Sequence, residues 1–185
     1  LEVGTGAGGT LCFMLDCFEK EHRPNFVVVD TMRYFQNQLE VIKQNLVDHE
    51  LSPELVEFRV MTSADGFLHA EKTEQKFDFM LIDGSHKIRH VMADMRWMRL
   101  LKPGGIACFH DYSPRFKGVC LAVDRFLFRN RHFQKVGLEG SLLCLRKVSV
   151  SGSIEVSVID RLWAYFLSPL LQLQTSLRKR FRSPS

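Results

Sequence analysis

The first thirty residues, LEVGTGAGGTLCFMLDCFEKEHRPNFVVVD, contain a complete strand–helix–strand pattern. Leu1–Val3 is the end of an apolar strand, and a glycine-rich turn follows it. Apolar side chains then recur at i, i+3, i+4 and i+7, the spacing of a helix with one buried face: Leu11, Met14, Leu15 and Phe18. The β-branched run Phe26–Val29 is a second strand. This order predicts two parallel strands joined by a crossover helix.

The same alternation continues to about residue 130. Further apolar runs predict strands at Val56–Met61, Phe77–Ile82 and Ile106–Phe109. Apolar residues with helical spacing predict helices between and after these strands, near residues 35–46, 64–71, 88–95 and 119–127. Two last runs, Phe133–Leu138 and Ser141–Leu145, flank Glu139-Gly140 and predict a hairpin. The pattern predicts an α/β fold, a Rossmann-like three-layer sandwich around a mostly parallel sheet.

The composition is that of an ordinary globular protein. The chain has 185 residues, of which 45% are hydrophobic and 25% charged, so it suits one sizeable domain and excludes wholesale disorder. The net charge of +4 is too weak to indicate a nucleic-acid partner. None of the five cysteines forms a C-x-x-C pair, so we expect free thiols in the cytoplasm rather than a zinc site or disulfides. The opening residues resemble the end of a strand, so we also expect the domain to be truncated at its N-terminus.

The glycine turn predicts a nucleoside cofactor, but its spacing is ambiguous. Gly4, Gly6 and Gly9 match the dinucleotide pattern G-x-G-x-x-G, whereas Gly4, Gly6 and Gly8 match G-x-G-x-G. Glu2 would not favour a pyrophosphate, but a carboxylate there suits the sulfonium and ammonium groups of S-adenosylmethionine. Asp30 ends the second strand, where a carboxylate can accept from both ribose hydroxyls of either cofactor.

The second half of the chain resembles a known family. The segments FDFMLIDGSH (Phe77–His86), LLKPGGI (Leu100–Ile106) and FHD (Phe109–Asp111), with Asp94 between the first two, resemble class I S-adenosylmethionine-dependent methyltransferases. They are most similar to the branch that contains macrolide-sugar O-methyltransferases and cephalosporin hydroxylase-like proteins. The resemblance covers Leu1 to about Lys147, so we define residues 1–147 as the methyltransferase domain. It implies a seven-stranded sheet of order 3-2-1-4-5-7-6 with an antiparallel last strand.

The resemblance also implies a set of site residues. The predicted cofactor contacts are Glu2, Gly4, Gly6, Gly8, Asp30, Thr31, Ser63, Ala64 and Asp83, with adenine near Thr31-Met32 and Ser63-Ala64-Asp65. Related sugar O-methyltransferases have metal-binding acids at the positions of Asp83 and Asp111 and a base at that of His86. His110 stands where they have another acid. We interpret Asp94 as structural.

The strand order brings several of these side chains together. Asp83 ends the fourth strand and His110-Asp111 ends the fifth, and adjacent strands lie about 4.8 Å apart. Asp83, His110 and Asp111 could therefore hold a divalent cation, for which the resemblance implies Mg²⁺ and the histidine favours Mn²⁺, Fe²⁺ or Zn²⁺. His86 could then act as the general base. The alternatives are that His86 caps the following helix and that His110 bonds to backbone.

These residues predict an S-adenosylmethionine-dependent methyltransferase that acts on a hydroxyl of a small-molecule acceptor, with Asp83 and His86 as catalytic residues. The alternatives are a nicotinamide-dependent oxidoreductase and a non-catalytic, cofactor-binding remnant. We expect Asp83→Ala to impair catalysis more than folding.

Residues 148–185 form a separate amphipathic tail. One helical face is apolar, and it comprises Ile159, Leu162, Trp163, Phe166, Leu170, Leu173 and Leu177. Pro169 should kink or split this helix. The uncharged stretch Leu162–Leu177 has only 16 residues, too few for a membrane span. We expect the apolar face to pack on its own domain or on a second subunit, or else to lie on a membrane surface with the basic end, Arg178, Lys179, Arg180 and Arg182, near anionic lipid.

Overall fold

The protein is a three-layer sandwich around one seven-stranded sheet. The computed structural model describes residues 1–148, 154 and 156–181, without the side chains of residues 175 and 177–181. The strands are β1 (Glu2–Val3), β2 (Phe26–Asp30), β3 (Val56–Val60), β4 (Phe77–Ile82), β5 (Leu101–Phe109), β6 (Phe133–Glu139) and β7 (Leu142–Lys147). Their order is β3-β2-β1-β4-β5-β7-β6, and β7 is antiparallel to β5 and β6. The fold class and the strand order predicted from the sequence are confirmed.

Helices cover both faces of this sheet. They are α1 (Gly9–Asp16), α2 (Gln38–Asp48), α3 (Ser63–Lys72), α4 (Ile88–Asp94), α5 (Lys117–Arg129) and α6 (Val158–Phe181). The residues of β2 alternate between two hydrophobic clusters: Val28 packs with α1 and α2, whereas Val27 and Val29 pack with the α3–α5 side. Among the described helices, none is long and apolar enough to cross a bilayer.

Two boundaries differ from the sequence prediction by three residues or more. The strand β5 begins at Leu101 rather than at Ile106. Pro103-Gly104-Gly105 lies inside the strand, as an irregularity in its pairing with β4, and not before the strand. Gly104 has φ +81°, and a Cβ on Gly105 would lie 2.9 Å from the carbonyl oxygen of Asp78. Glycine and proline produce a bulge in the strand here. Both residues are also common in turns, so their presence in the sequence does not distinguish a bulge from a turn. The helix α2 begins at Gln38, after Asn37 in a left-handed conformation, so Phe35 precedes it.

The tail helix α6 differs from the sequence prediction in two respects. It continues through Pro169 without a break, so the helix is not split there. Pro169 is exposed, and the carbonyl that it leaves without a helical partner, that of Tyr165, lies on the solvent side where water can bond to it.

The side of α6 that packs on its own domain is also not the predicted one. The buried residues are Asp160, Ala164 and Ser168, flanked by half-buried Trp163, Leu167 and Leu171. Small side chains at i, i+4 and i+8 allow close approach to α4 and α5. Asp160 pairs with Arg125 at 2.8 Å and with Arg129 at 3.2 Å. Of the predicted apolar stripe, Trp163 packs inward, whereas Ile159, Leu162, Phe166, Leu170 and Leu173 are exposed. The predicted basic end and Leu177 lie outside the side chains that the structure describes.

Candidate functional site

The glycine loop between β1 and α1 has the G-x-G-x-G spacing. Gly4, Gly6 and Gly8 all have positive φ, whereas Gly9 is the first residue of α1 and does not. At Gly4 (φ +81°) a Cβ would lie 2.6 Å from the carbonyl oxygen of Asp83. The absence of a side chain at Gly4 therefore lets the β1 loop pack directly on the β4 loop. The third glycine of the dinucleotide pattern serves close helix packing, but a Cβ on Gly9 would meet nothing within 4 Å, so Gly9 does not have that role here.

Two carboxylates lie at this loop and differ in role. Asp30 accepts hydrogen bonds from the backbone amides of Thr5 (3.0 Å) and Met32 (2.7 Å), so it ties the loop to the end of β2. Glu2 is 1% exposed, and among the described residues its Oε2 has no hydrogen-bond partner. Burial raises the pKa of Glu2 to about 7. Glu2 lies directly behind the loop with one oxygen lacking a partner among the described residues, and when ionised it favours a cation over an anion at this end of the sheet.

An open cleft of about 1530 Å³ runs along the carboxyl ends of the central strands. Its lining contains most of the predicted site residues: Gly4, Gly6, Asp30, Thr31, Ser63, Ala64, Asp83, His86, His110 and Asp111. A cleft of this size exceeds the usual range of about 300–1,000 Å³ for one drug-sized ligand, so it has room for two molecules. Glu2 and Gly8 lie outside the lining, because Glu2 is buried and a Cβ on Gly8 would meet Ile42. Their direct cofactor contacts stay predictions.

The wall formed by the start of α3 is held by a buried network. Trp97 Nε1 donates to Ser63 Oγ (2.9 Å), which donates to Asp94 Oδ1 (2.5 Å). Burial raises the pKa of Asp94 to about 6. Because the proton of Ser63 is used inside the protein, its hydroxyl can only accept from a ligand. Asp65 caps α3 together with Thr62 and is not part of the lining.

Two histidine–aspartate contacts lie at the other end of the cleft. His86 Nε2 is 2.5 Å from Asp111 Oδ2, and the ring of His86 lies over Phe116 with centroids 4.4 Å apart. His110 Nδ1 is 3.1 Å from Asp83 Oδ1 and 3.5 Å from Asp111 Oδ2. His86 therefore does not cap the next helix, and His110 contacts carboxylates rather than backbone. Asp111 has φ +59°, a strained conformation that turns its carboxylate toward the histidines.

The candidate metal ligands include a histidine that was predicted as a base. Asp83, His86 and Asp111 offer ligand atoms within 4.8 Å of one another, and Nδ1 of His110, the predicted ligand, also lies close to both aspartates. Two carboxylates and one imidazole suit a divalent cation. The same atoms also suit acid–base chemistry, because Asp111 can orient the His86 ring. Burial raises the pKa of Asp83 above its ordinary value, although the nearby His110 opposes this shift.

Sequence reasoning missed the aromatic and tail contributions to the site. Phe116 supports His86 from the segment before α5, and Ser168, Leu171 and Gln172 of α6 border the cleft. Phe116 follows no motif, and its contact depends on how α5 approaches β5. A helix beyond the hairpin likewise gives no local signal that it returns to the active edge.

Comparison with known proteins agrees with this fold. No curated protein is significantly similar in sequence. Solved structures with a similar fold include CalS11, a TDP-rhamnose 3'-O-methyltransferase of calicheamicin biosynthesis, at TM-score 0.62 and 18% identity, over 78% of this chain and 69% of that one. The O-methyltransferase TomG from Streptomyces achromogenes, in complex with SAM, has TM-score 0.61 and 14% identity, over 80% and 72%. An O-methyltransferase from Bacillus cereus, in complex with SAH, has TM-score 0.60 and 17% identity, over 79% and 72%.

At these identities the structural matches show a shared fold. The sequence itself is matched over residues 1–112 by the family model for a methyltransferase domain. That range contains the glycine loop, Asp30, Asp83, His86 and the His110-Asp111 pair. The chain belongs to this methyltransferase domain family.

Proposed function

We propose that this protein is an S-adenosylmethionine-dependent O-methyltransferase that acts on a hydroxyl of a small molecule, with His86 as the general base. The observation that carries the proposal is the 2.5 Å contact between His86 and Asp111 at the edge of the cleft that also contains the glycine loop and Asp30. A base and a nucleoside-binding loop in one cleft are what methyl transfer to a hydroxyl requires.

The charge of the cleft supports the cofactor. Glu2, Asp30 and Asp83 surround the glycine loop, and no pyrophosphate group would gain from three carboxylates. S-adenosylmethionine carries a sulfonium and an ammonium group, and when bound it supplies the electrophilic methyl group. Two structural neighbours hold SAM or SAH in their crystals. The family match likewise does not favour a nicotinamide-dependent oxidoreductase.

The chain's own residues would prepare the acceptor. Nε2 of His86 faces Asp111, so Nδ1 is the ring nitrogen left for the substrate. Asp111 stabilises the imidazolium that forms when His86 takes the hydroxyl proton. Phe116 restricts the ring on one face. His110 pairs with Asp83 and keeps that carboxylate at the mouth of the cleft.

A divalent cation on Asp83, His86 and Asp111 is a second way to activate the same hydroxyl. A bound cation would lower the pKa of a coordinated hydroxyl. A cation on Nε2 of His86 would leave the ring proton on Nδ1, so Nδ1 could not also accept the hydroxyl proton, and the two mechanisms are exclusive at His86. Transfer that survives EDTA supports the base mechanism, and transfer that EDTA abolishes and Mg²⁺ restores supports the metal.

The test is transfer of a labelled methyl group from S-adenosylmethionine to a panel of hydroxyl acceptors, including nucleotide-linked sugars and catechols. We expect His86→Gln and Asp111→Asn to lower kcat by about 10²-fold or more, as for loss of a general base or its orienting group. His69→Gln, an exposed histidine outside the cleft, is the matched control and should change nothing. Equal activity of His86→Gln and wild type would refute the assignment. Cofactor binding without transfer to any acceptor would favour the non-catalytic alternative.

A further inference from the structure

The outer face of α6 is a large apolar surface that the described part of its own domain does not cover. It consists of Ile159, Leu162, Tyr165, Phe166, Leu170 and Leu173, whose exposed fractions are between 51% and 69%. At about 100° per residue these side chains fall within an arc of about 140° on one side of the helix. The opposite side, with Asp160, Ala164 and Ser168, is buried against the domain. The helix is therefore fixed to the protein by one side and offers the other to a partner.

The charge of the same segment indicates what kind of partner this is. From Arg161 to the last residue the sequence has five basic residues, Arg161, Arg178, Lys179, Arg180 and Arg182, and no acidic one. The whole chain has a net charge of +4, so the five cations of this segment exceed the net positive charge of the entire protein. A partner of this segment must accept both a broad apolar arc and charges that are all positive.

We propose that α6 docks this protein on an anionic lipid surface. The apolar arc would enter the boundary between headgroups and acyl chains, and the basic residues would lie among the headgroups. Arginine and lysine are attracted to the anionic lipids of a cytoplasmic leaflet over about one Debye length. Tyr165 and Phe166, midway along the length of this apolar face, are the kind of aromatic side chain that anchors at this boundary.

Charge distinguishes a lipid surface from a second copy of this chain. A symmetric dimer through this face would pair two segments that each carry only positive charge, with no acidic residue on either to compensate. An anionic surface compensates all five cations at once. The docking surface does not include the base or the glycine loop, so this proposal is independent of the proposed reaction.

The experiment is flotation of the full chain with vesicles of phosphatidylcholine alone or with phosphatidylserine. We expect binding to the anionic vesicles, at least tenfold weaker binding to phosphatidylcholine alone, and release at high salt. Phe166→Glu should weaken binding at least tenfold, because it places a charge at the centre of the apolar arc.

The matched control is Phe13→Glu, because Phe13 is 72% exposed on α1 and Phe166 is 69% exposed on α6. Both variants change an exposed phenylalanine, so both should fold, as circular dichroism can verify. Phe13→Glu should bind vesicles like wild type. Three results would overturn the proposal: no vesicle binding by wild type, equal binding by the two variants, or a wild-type dimer in sedimentation equilibrium that Phe166→Glu dissociates.

Discussion

Replacing Glu2 by glutamine tests whether a buried carboxylate lies behind the glycine loop. Glu2 is 1% exposed, and burial raises its pKa from 4.5 to about 7. An acid whose pKa is higher in the folded state binds more protons when folded. The free energy of unfolding therefore falls as the pH rises from about 4.5 to about 7. A shift of this size corresponds to about 3 kcal/mol, at about 1.4 kcal/mol per pH unit.

The Glu2→Gln variant cannot ionise at this position, so it should lose that part of the pH dependence. We expect the unfolding free energy of the variant minus that of wild type to rise by about 3 kcal/mol between pH 4 and pH 8. The buried acid Asp94 titrates in both proteins and cancels in this difference.

The assay is urea unfolding followed by circular dichroism at several pH values. Glu139→Gln, which changes an exposed carboxylate, is the control and should give a flat difference. A flat difference for Glu2→Gln as well would mean that Glu2 is solvated and ionised, and the electrostatic argument for a cationic cofactor would lose its main support.

Three further predictions concern the glycine loop, the tail helix α6 and Asp83. Gly4→Ala should destabilise the fold by about 2–4 kcal/mol, because φ is +81° and a Cβ would clash with the backbone of Asp83. Gly9→Ala is the control and should not destabilise the fold, because a Cβ there has open space around it. Thermal unfolding measures the stability of both variants, and equal stability would contradict the loop packing. Asp160→Asn should lower the free energy of unfolding by about 2–3 kcal/mol, because it breaks the ion pairs of Asp160 with Arg125 and Arg129. It should also increase hydrogen exchange of the α6 amides, and unchanged protection would mean that other contacts hold the helix. Asp83→Ala should reduce methyl transfer while leaving the unfolding midpoint within a few degrees of wild type, and a variant that unfolds instead would make Asp83 a stability residue.

The sheet was predictable because its signals are local. The β-branched run at Phe26, the continuous apolar run at Phe77 and the glycine turn at Gly4 each define one element. The convergence of Asp83, His86 and Asp111 followed from strand order, which the resemblance supplied. What did not follow was which histidine contacts which aspartate, because side-chain geometry at strand ends depends on Asp111 having φ +59°.

The tail shows a different limit of sequence reasoning. Hydrophobic periodicity predicts that the most apolar side of a helix is buried, yet α6 buries Asp160, Ala164 and Ser168. Asp160 is buried because Arg125 and Arg129, on another helix, lie opposite it. Such long-range ion pairs have no signature within the segment itself.

Titration of the full chain with S-adenosylhomocysteine in a calorimeter tests the central claim most directly. The account predicts that one molecule binds per chain, and that Asp30→Ala, which releases the glycine loop from β2, weakens the binding strongly while Glu139→Gln does not. Absence of binding, or binding of NADH in its place, would contradict the assignment of this cleft to a methyl donor.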